Sequence, residues 1–226
     1  MSQPAASPET SSEDAEIVVE GYSPRFAVAV RKLLKIEGGF VDDPKDRGGT
    51  TKYGISLRFL AAEGHFDHDA DGRADFDLDL DGDIDWIDIR LLKRGDAVFL
   101  YHRCFWEKLQ ADTFPAPIGE MLFDQGVNGG LTAARKLLQR AINVCAMNPG
   151  FRAARPNAKL AVDGVIGEKT RASLAEVLRW NALGMPALTD AYRAAAAERY
   201  RAIVRRWPDQ KRFLNGWLAR AEELGR

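Results

Sequence analysis

Glu37-Gly-Gly-Phe40-Val-Asp42-Asp43-Pro-Lys-Asp46-Arg-Gly48-Gly49-Thr50-Thr51-Lys52-Tyr53-Gly54-Ile-Ser56 joins two stretches of helical spacing and is itself too rich in Gly, Asp and Thr to be a helix. Upstream, Ser23-Pro24 reads as a helix start, Ser as N-cap and Pro at the first helical position. Phe26, Val30, Leu33 and Leu34 then recur on one face, and Gly38-Gly39 ends the helix. Downstream, helical spacing resumes from Ile55 to Ala62. The intervening chain from Phe40 to Gly54 reads as irregular loop or a short hairpin. A loop that crowds carboxylates, hydroxyls and a tyrosine onto the end of an apolar helix suits a cleft.

The same segment resembles, nearly position for position, the opening motif of glycoside hydrolase family 108, the peptidoglycan-cleaving N-acetylmuramidases of phages and bacterial secretion loci. Further along, Tyr101-His-Arg-Cys-Phe-Trp106 is similar to the family's aromatic segment, and Phe123-Asp124-Gln-Gly-Val-Asn128-Gly-Gly to its second cleft motif. Val162-Asp-Gly-Val-Ile-Gly-Glu-Lys-Thr170 resembles the helical peptidoglycan-binding segment that follows the catalytic part. The matches span most of residues 23–226. They imply a mainly α, lysozyme-like helical fold, with a catalytic region over 23–118 and a helical peptidoglycan-binding-like region over 119–226 that completes the fold; residues 1–22, rich in Ser, Pro, Ala and Glu with no Lys or Arg, read from composition as a flexible acidic tail.

The resemblance implies Glu37 as the catalytic acid, and the chemistry agrees. Glycosidic cleavage needs a carboxylic acid that stays protonated near neutral pH and donates to the leaving oxygen. At a helix C-terminus, partly buried against Phe40, Glu37 would have its pKa pushed up by desolvation and by the negative end of the helix dipole, with Lys32 and Lys35 opposing. The order Glu37, Asp46, Thr51 also resembles the triad of certain phage lysozymes. Asp46 is then the candidate base that orients an attacking water, with the Thr51 hydroxyl holding that water. Asp42 and Asp43 compete for the same role, and Asp46 in an Asx-turn before Gly48-Gly49 is the structural alternative. Tyr53, Tyr101, Trp106, Asp124 and Asn128 are the candidate substrate contacts, the aromatics by stacking on pyranose faces. Core packing is the competing reading for any one of them.

Between these motifs lies an acidic insert. Residues 67–88 hold ten Asp and one basic residue, Arg73, for a segment charge of −9. Read as a twelve-residue loop, Asp77, Asp79, Asp81, Asp85 and Asp88 occupy positions 1, 3, 5, 9 and 12, with Gly82 at position 6 and Asp83 at position 7. That is EF-hand spacing, resembling one dockerin-type calcium repeat. Asp88 has a shorter reach than the usual Glu, which weakens bidentate binding. Asp67, Asp69, Asp71, Gly72 and Asp75 begin a second loop whose twelfth position, Leu78, is no ligand. One or two structural Ca²⁺ are expected, against the alternative of a solvated acidic linker. His65, His68 and His102 show no metal-ligand spacing.

Taken whole, the chain of 226 residues is 46% hydrophobic and 29% charged, with a net charge of −1, as expected of a soluble globular protein. The balance hides opposed segments, since from Leu131 onward 18 basic residues face 8 acidic ones. Helices are expected over Ile89–Tyr101, Thr132–Val144, Glu168–Trp180, Leu188–Trp207 and Gln210–Leu224. Cys104 and Cys145 lie outside any metal or disulfide pattern and read as buried small side chains. No signal peptide or membrane span is visible, so the expectation is synthesis in the cytoplasm and action in the periplasm or wall after export or lysis, through a holin or exporter. The expected partner is peptidoglycan, with no nucleic acid, no membrane insertion and a monomeric chain. Two other readings compete with the muramidase. One is a lytic transglycosylase, which needs no base carboxylate; the other is a non-catalytic, calcium-dependent glycan-binding module.

Overall fold

The computed structural model describes residues 21–36, 50–68 and 70–226. Glu37, Asp42, Asp43, Asp46, Asp69, the Gly38-Gly39 helix end and nearly all of the N-terminal tail lie outside the described residues. The chain divides into two compact units, one through Leu100 and one from Tyr101 to Arg226.

In the first unit, α1 (Pro24–Ile36) starts where the Ser-Pro signal puts it. The Phe26 backbone N–H donates to Ser23 Oγ at 3.2 Å, and Phe26, Val30, Leu33 and Leu34 are all buried. The Gly-rich loop closes in a minimal antiparallel hairpin, β1 (Thr51–Lys52) and β2 (Ile55–Ser56), with Thr51 opposite Ser56 and Lys52 opposite Ile55. Its two-residue turn, Tyr53 and Gly54, has positive φ at both positions, the geometry that matches strand twist in tight hairpins. Ser56 then caps α2 (Leu57–Glu63), accepting from the Phe59 N–H.

Past the acidic insert come α3 (Trp86–Leu91) and α4 (Arg94–Tyr101), where the spacing predicts one helix from Ile89. Two caps explain the difference. Asp85 and Asp88 form a reciprocal capping box that starts α3 three residues early. Leu92 then turns to extended ψ, and the Lys93 N–H is taken by Asp96 Oδ2 at 2.6 Å, so the chain restarts rather than continues.

Among the described residues, the regular elements of the second unit are all helical, joined by loops of which the longest runs over 155–167. It opens with a π-helical turn (His102–Glu107) and a short 3₁₀ turn (Ala111–Thr113), followed by α5 (Ile118–Gly129), α6 (Leu131–Cys145), α7 (Pro149–Ala154) and α8 (Glu168–Arg179). The long α9 (Gly184–Arg206), a 3₁₀ segment (Pro208–Phe213) and α10 (Leu214–Glu223) complete it. α6 packs on α5 and α9, and α10 returns along α9. Leu122, Leu137, Leu138, Ile142, Val177, Leu188 and Tyr192 form the centre of its core. The unit begins before the 118/119 boundary read from sequence because both short turns pack against α5. Helix α5 was not expected. Its Gly126 breaks the apolar pattern, yet a Cβ there would stand 2.8 Å from Leu109 Cδ1, so the glycine serves close packing. Cys104 and Cys145 are buried free thiols, and burial pushes Cys145 up to about 11. Among the described residues, no helix is long and apolar enough to cross a membrane.

Candidate functional site

Thr51 and Tyr53 are the described members of the predicted cleft loop. Thr51 is half-buried on β1, and its strand partner Ser56 is the cap of α2, so the Thr51 backbone is held between the hairpin and the start of α2. Tyr53 occupies the hairpin turn with two cations close to its ring, Lys52 Nζ at 5.4 Å and the Arg94 guanidinium at 5.7 Å from its centroid. The Lys52 ammonium also donates to the Arg90 carbonyl of α3 at 2.6 Å, tying the hairpin to the helix after the acidic insert. This edge is therefore aromatic and positively charged. Sequence spacing gave no sign of Arg94, which lies far along the chain.

The second unit holds the remaining expected contacts. Tyr101 and Trp106 are each 1% exposed, and both rings meet Phe123 edge-on. Trp106 Nε1 donates to Asp112 Oδ2 at 2.7 Å, satisfying the one polar atom that burial of an indole must satisfy. These two aromatics are core residues. Asp124 is partly buried and receives both the Nε and a terminal nitrogen of Arg220 from α10, the latter at 2.9 Å. Asn128 is exposed one turn further along and donates to the Asp124 carbonyl. The partner of Asp124 lies 96 positions away, so no local pattern could have revealed it. His102 Nδ1 stands 3.4 Å from Glu107 Oε1; partial burial lowers the His102 pKa, against the opposing pull of Glu107 and Asp112.

The acidic insert folds as two copies of one turn, ten residues apart. Asp77 accepts N–H groups from Asp81 and Gly82, and Asp67 accepts them from Asp71 and Gly72. Asp81 accepts from Asp83, and Asp71 from Arg73. Gly72 and Gly82 each have the positive φ the turn demands, and so do Ala70 and Leu80 two residues before them. The copies diverge in what they gather. In the second turn, Asp77, Asp79 and Asp81 bring carboxylate oxygens within 4.8 Å of one another, as do Asp83, Asp85 and Asp88. In the first, Asp75 binds the His68 N–H, and the position matching Asp83 is Arg73. Asp88 is buried at 1% exposure, accepting from Leu78 and Asp85 N–H groups at 2.6 and 2.7 Å. Crowding shows in the titration. Partial desolvation, then the charges of Asp81, Asp88 and Asp77, raises the Asp79 pKa. The Asp81 charge, then desolvation and the other carboxylates, raises that of Asp83. Two oxygen-only trios of this kind fit a hard divalent cation.

Comparison with known proteins finds likenesses over both halves of the chain. Residues 30–130 match the family model described as Glycosyl hydrolase 108, and residues 133–222 match the Predicted Peptidoglycan domain. The mostly helical fold is consistent with the lysozyme-like class of the first model and with a peptidoglycan-domain segment after it. More particularly, the chain is similar to the structure titled "Structure of Brucella abortus SagA", with a TM-score of 0.62 and 25% identity over 88% of this chain and 90% of that one. No curated protein matches.

Proposed function

We propose that this protein is a peptidoglycan hydrolase, an N-acetylmuramidase that cleaves the glycan backbone with Glu37 as general acid. The observation that carries the reading is the succession, on one chain, of a glycosyl hydrolase 108 segment and a predicted peptidoglycan domain. Glu37 follows directly on α1, whose C-terminal dipole favours the protonated carboxyl that the leaving oxygen requires. Asp46 orients the attacking water and Thr51 helps to hold it, so the reaction inverts the anomeric centre. A lytic transglycosylase would need no such base. In activity assays on purified walls, Glu37→Gln is expected to lose ~10² to 10⁴ in rate, the scale of general acid catalysis, while keeping its circular dichroism spectrum. Wild-type turnover by that variant would remove Glu37 from the mechanism.

The insert is proposed to hold Ca²⁺ through Asp77, Asp79, Asp81, Asp85 and Asp88, with Asp83 completing the ring, in the manner of an EF-hand loop. Asp67, Asp69, Asp71 and Asp75 form the weaker candidate for a second ion. The ion's role is structural, because acid-assisted hydrolysis requires no metal. Synthesis in the cytoplasm and release to the wall through a holin or exporter, as a monomer, complete the proposal.

A further inference from the structure

The break between α3 and α4 opens a place that the hairpin fills. In a continuous α-helix the Arg90 carbonyl would take the N–H of the residue four positions on, Arg94. Here α3 stops at Leu91 and α4 starts at Arg94, so the Arg90 carbonyl belongs to a last helical turn, where carbonyls lack the N–H that a next turn would supply. Lys52 takes that place. From β1, 38 positions away, its ammonium donates to the Arg90 carbonyl at 2.6 Å, a cation meeting the exposed carbonyl end of a helix. Across the break, the Arg94 guanidinium lies 5.7 Å from the centroid of the Tyr53 ring, so two successive hairpin residues hold to both sides of it. The post they hold is firm: Asp85 and Asp88 box the start of α3, and Ile89 and Leu92 are buried. The hairpin itself has only two residues in each strand, and so short a ribbon is marginal in water without outside support.

We infer that Lys52 is a positioning residue for the proposed cleavage: by fastening the hairpin to the end of α3, it fixes the place of Thr51. The inference rests on the proposed role of Thr51 in holding the attacking water. Successive side chains of a strand point to opposite faces, so Lys52 grips α3 without occupying the face that Thr51 presents. Arg90 is exposed, and its carbonyl would be hydrated if Lys52 were absent, so the bond adds little to global stability. Its consequence is geometric. A lysine serving solubility alone keeps its ammonium in water, because ordering so long a side chain costs entropy. Displacement of a reacting or water-holding group by about 1 Å costs up to ~10² in rate, which is the scale on which a loosened hairpin would be felt.

The test compares the full chain with Lys52→Met, which keeps the stem and removes the donor, and with Lys52→Arg, which restores a donor. Steady-state cleavage is measured on glycan strands solubilised from purified wall, and amide hydrogen exchange is followed at Leu57, whose N–H closes the base of the hairpin on the Thr50 carbonyl at 2.9 Å. Lys52→Met is expected to lose about ten- to hundredfold in kcat with KM and melting temperature little changed, and its Leu57 amide to exchange faster while amides of α6 keep their protection. Lys52→Arg should regain most of both. If Lys52→Met fails to fold, Lys52→Gln, whose shorter side chain stops short of the carbonyl, takes its place with the same expectations. Wild-type kcat in Lys52→Met overturns the positioning role, whether or not Leu57 exchanges faster. A fall in kcat with Leu57 exchange unchanged overturns it as well, since Lys52 would then act on the substrate directly, and so does a loss of protection shared by α6, which marks a purely structural role. If the wild-type chain cleaves no wall glycan, the hydrolase reading falls by itself, and the exchange measurement still decides whether Lys52 holds the hairpin.

Discussion

Asp124 illustrates how a side chain that reads as a cleft residue acquires a structural duty. Its carboxylate receives two guanidinium nitrogens from Arg220, and both side chains are largely covered, at 25% and 17% exposure. Arg220→Ala leaves that carboxylate without its cation in a partly buried setting, at an expected cost of about 1–3 kcal/mol in urea unfolding. A loss below a few tenths would make the pair a surface ornament. Gln139 is a cleaner case. Buried at 1% exposure, it accepts from the Gly164 N–H and donates to Asp163 Oδ1 and the Val165 carbonyl, pinning the Val162–Thr170 segment to α6. Gln139→Leu orphans the Gly164 N–H and leaves the Val165 carbonyl with Thr170 Oγ1 alone, and should destabilise by about 1–3 kcal/mol. The same bond, with the Val165 N–H, holds the Asp163 pKa below the usual carboxylate range. That contribution is present above the unfolded pKa and is lost as pH falls through the folded one. Carboxyl NMR of the variant should therefore show Asp163 titrating closer to its ordinary value.

At the scale of elements, the acidic insert makes a prediction of opposite sign. Asp79 and Asp83 have raised pKa values, so without a cation their ionisation costs folding stability. The cost is absent below the unfolded pKa and fully present once pH has risen past the folded values. Chelated protein should gain thermal stability as pH is lowered from neutral toward the upper carboxylate range, and Ca²⁺ at neutral pH should restore at least as much by binding only the folded loop. A melting temperature indifferent to both chelator and Ca²⁺ would return the insert to the status of an acidic linker. The periodic positions of this region were legible because backbone turns at Gly72 and Gly82 impose them. So were α1, with its Ser23 cap, and the long amphipathic helices α6, α8 and α9. The break between α3 and α4 was not, because it depends on Asp96 capturing one N–H rather than on any change in apolar period. Helix α5 was hidden for a related reason: Gly126 serves contact with Leu109, a residue that local spacing cannot place.

Across the whole molecule, charge is divided between segments, with a net of −9 in the insert and a basic excess from Leu131 onward. The first suits a cation and the second an anionic polymer, which a net charge of −1 conceals. Site residues were less legible than fold, since burial separates Tyr101 and Trp106 from Tyr53 although all three are aromatic and sit in recognisable motifs. The proposed activity is hydrolytic cleavage of the glycan backbone driven by Glu37. It is tested most directly by mass spectrometry of muropeptides released from purified wall in heavy-oxygen water, by the wild-type chain and by Glu37→Gln. Expected are fragments ending in reducing N-acetylmuramic acid with one heavy oxygen, absent from the Glu37→Gln digest; anhydromuramic ends without label, or peptides released from intact glycan, would contradict hydrolysis by Glu37.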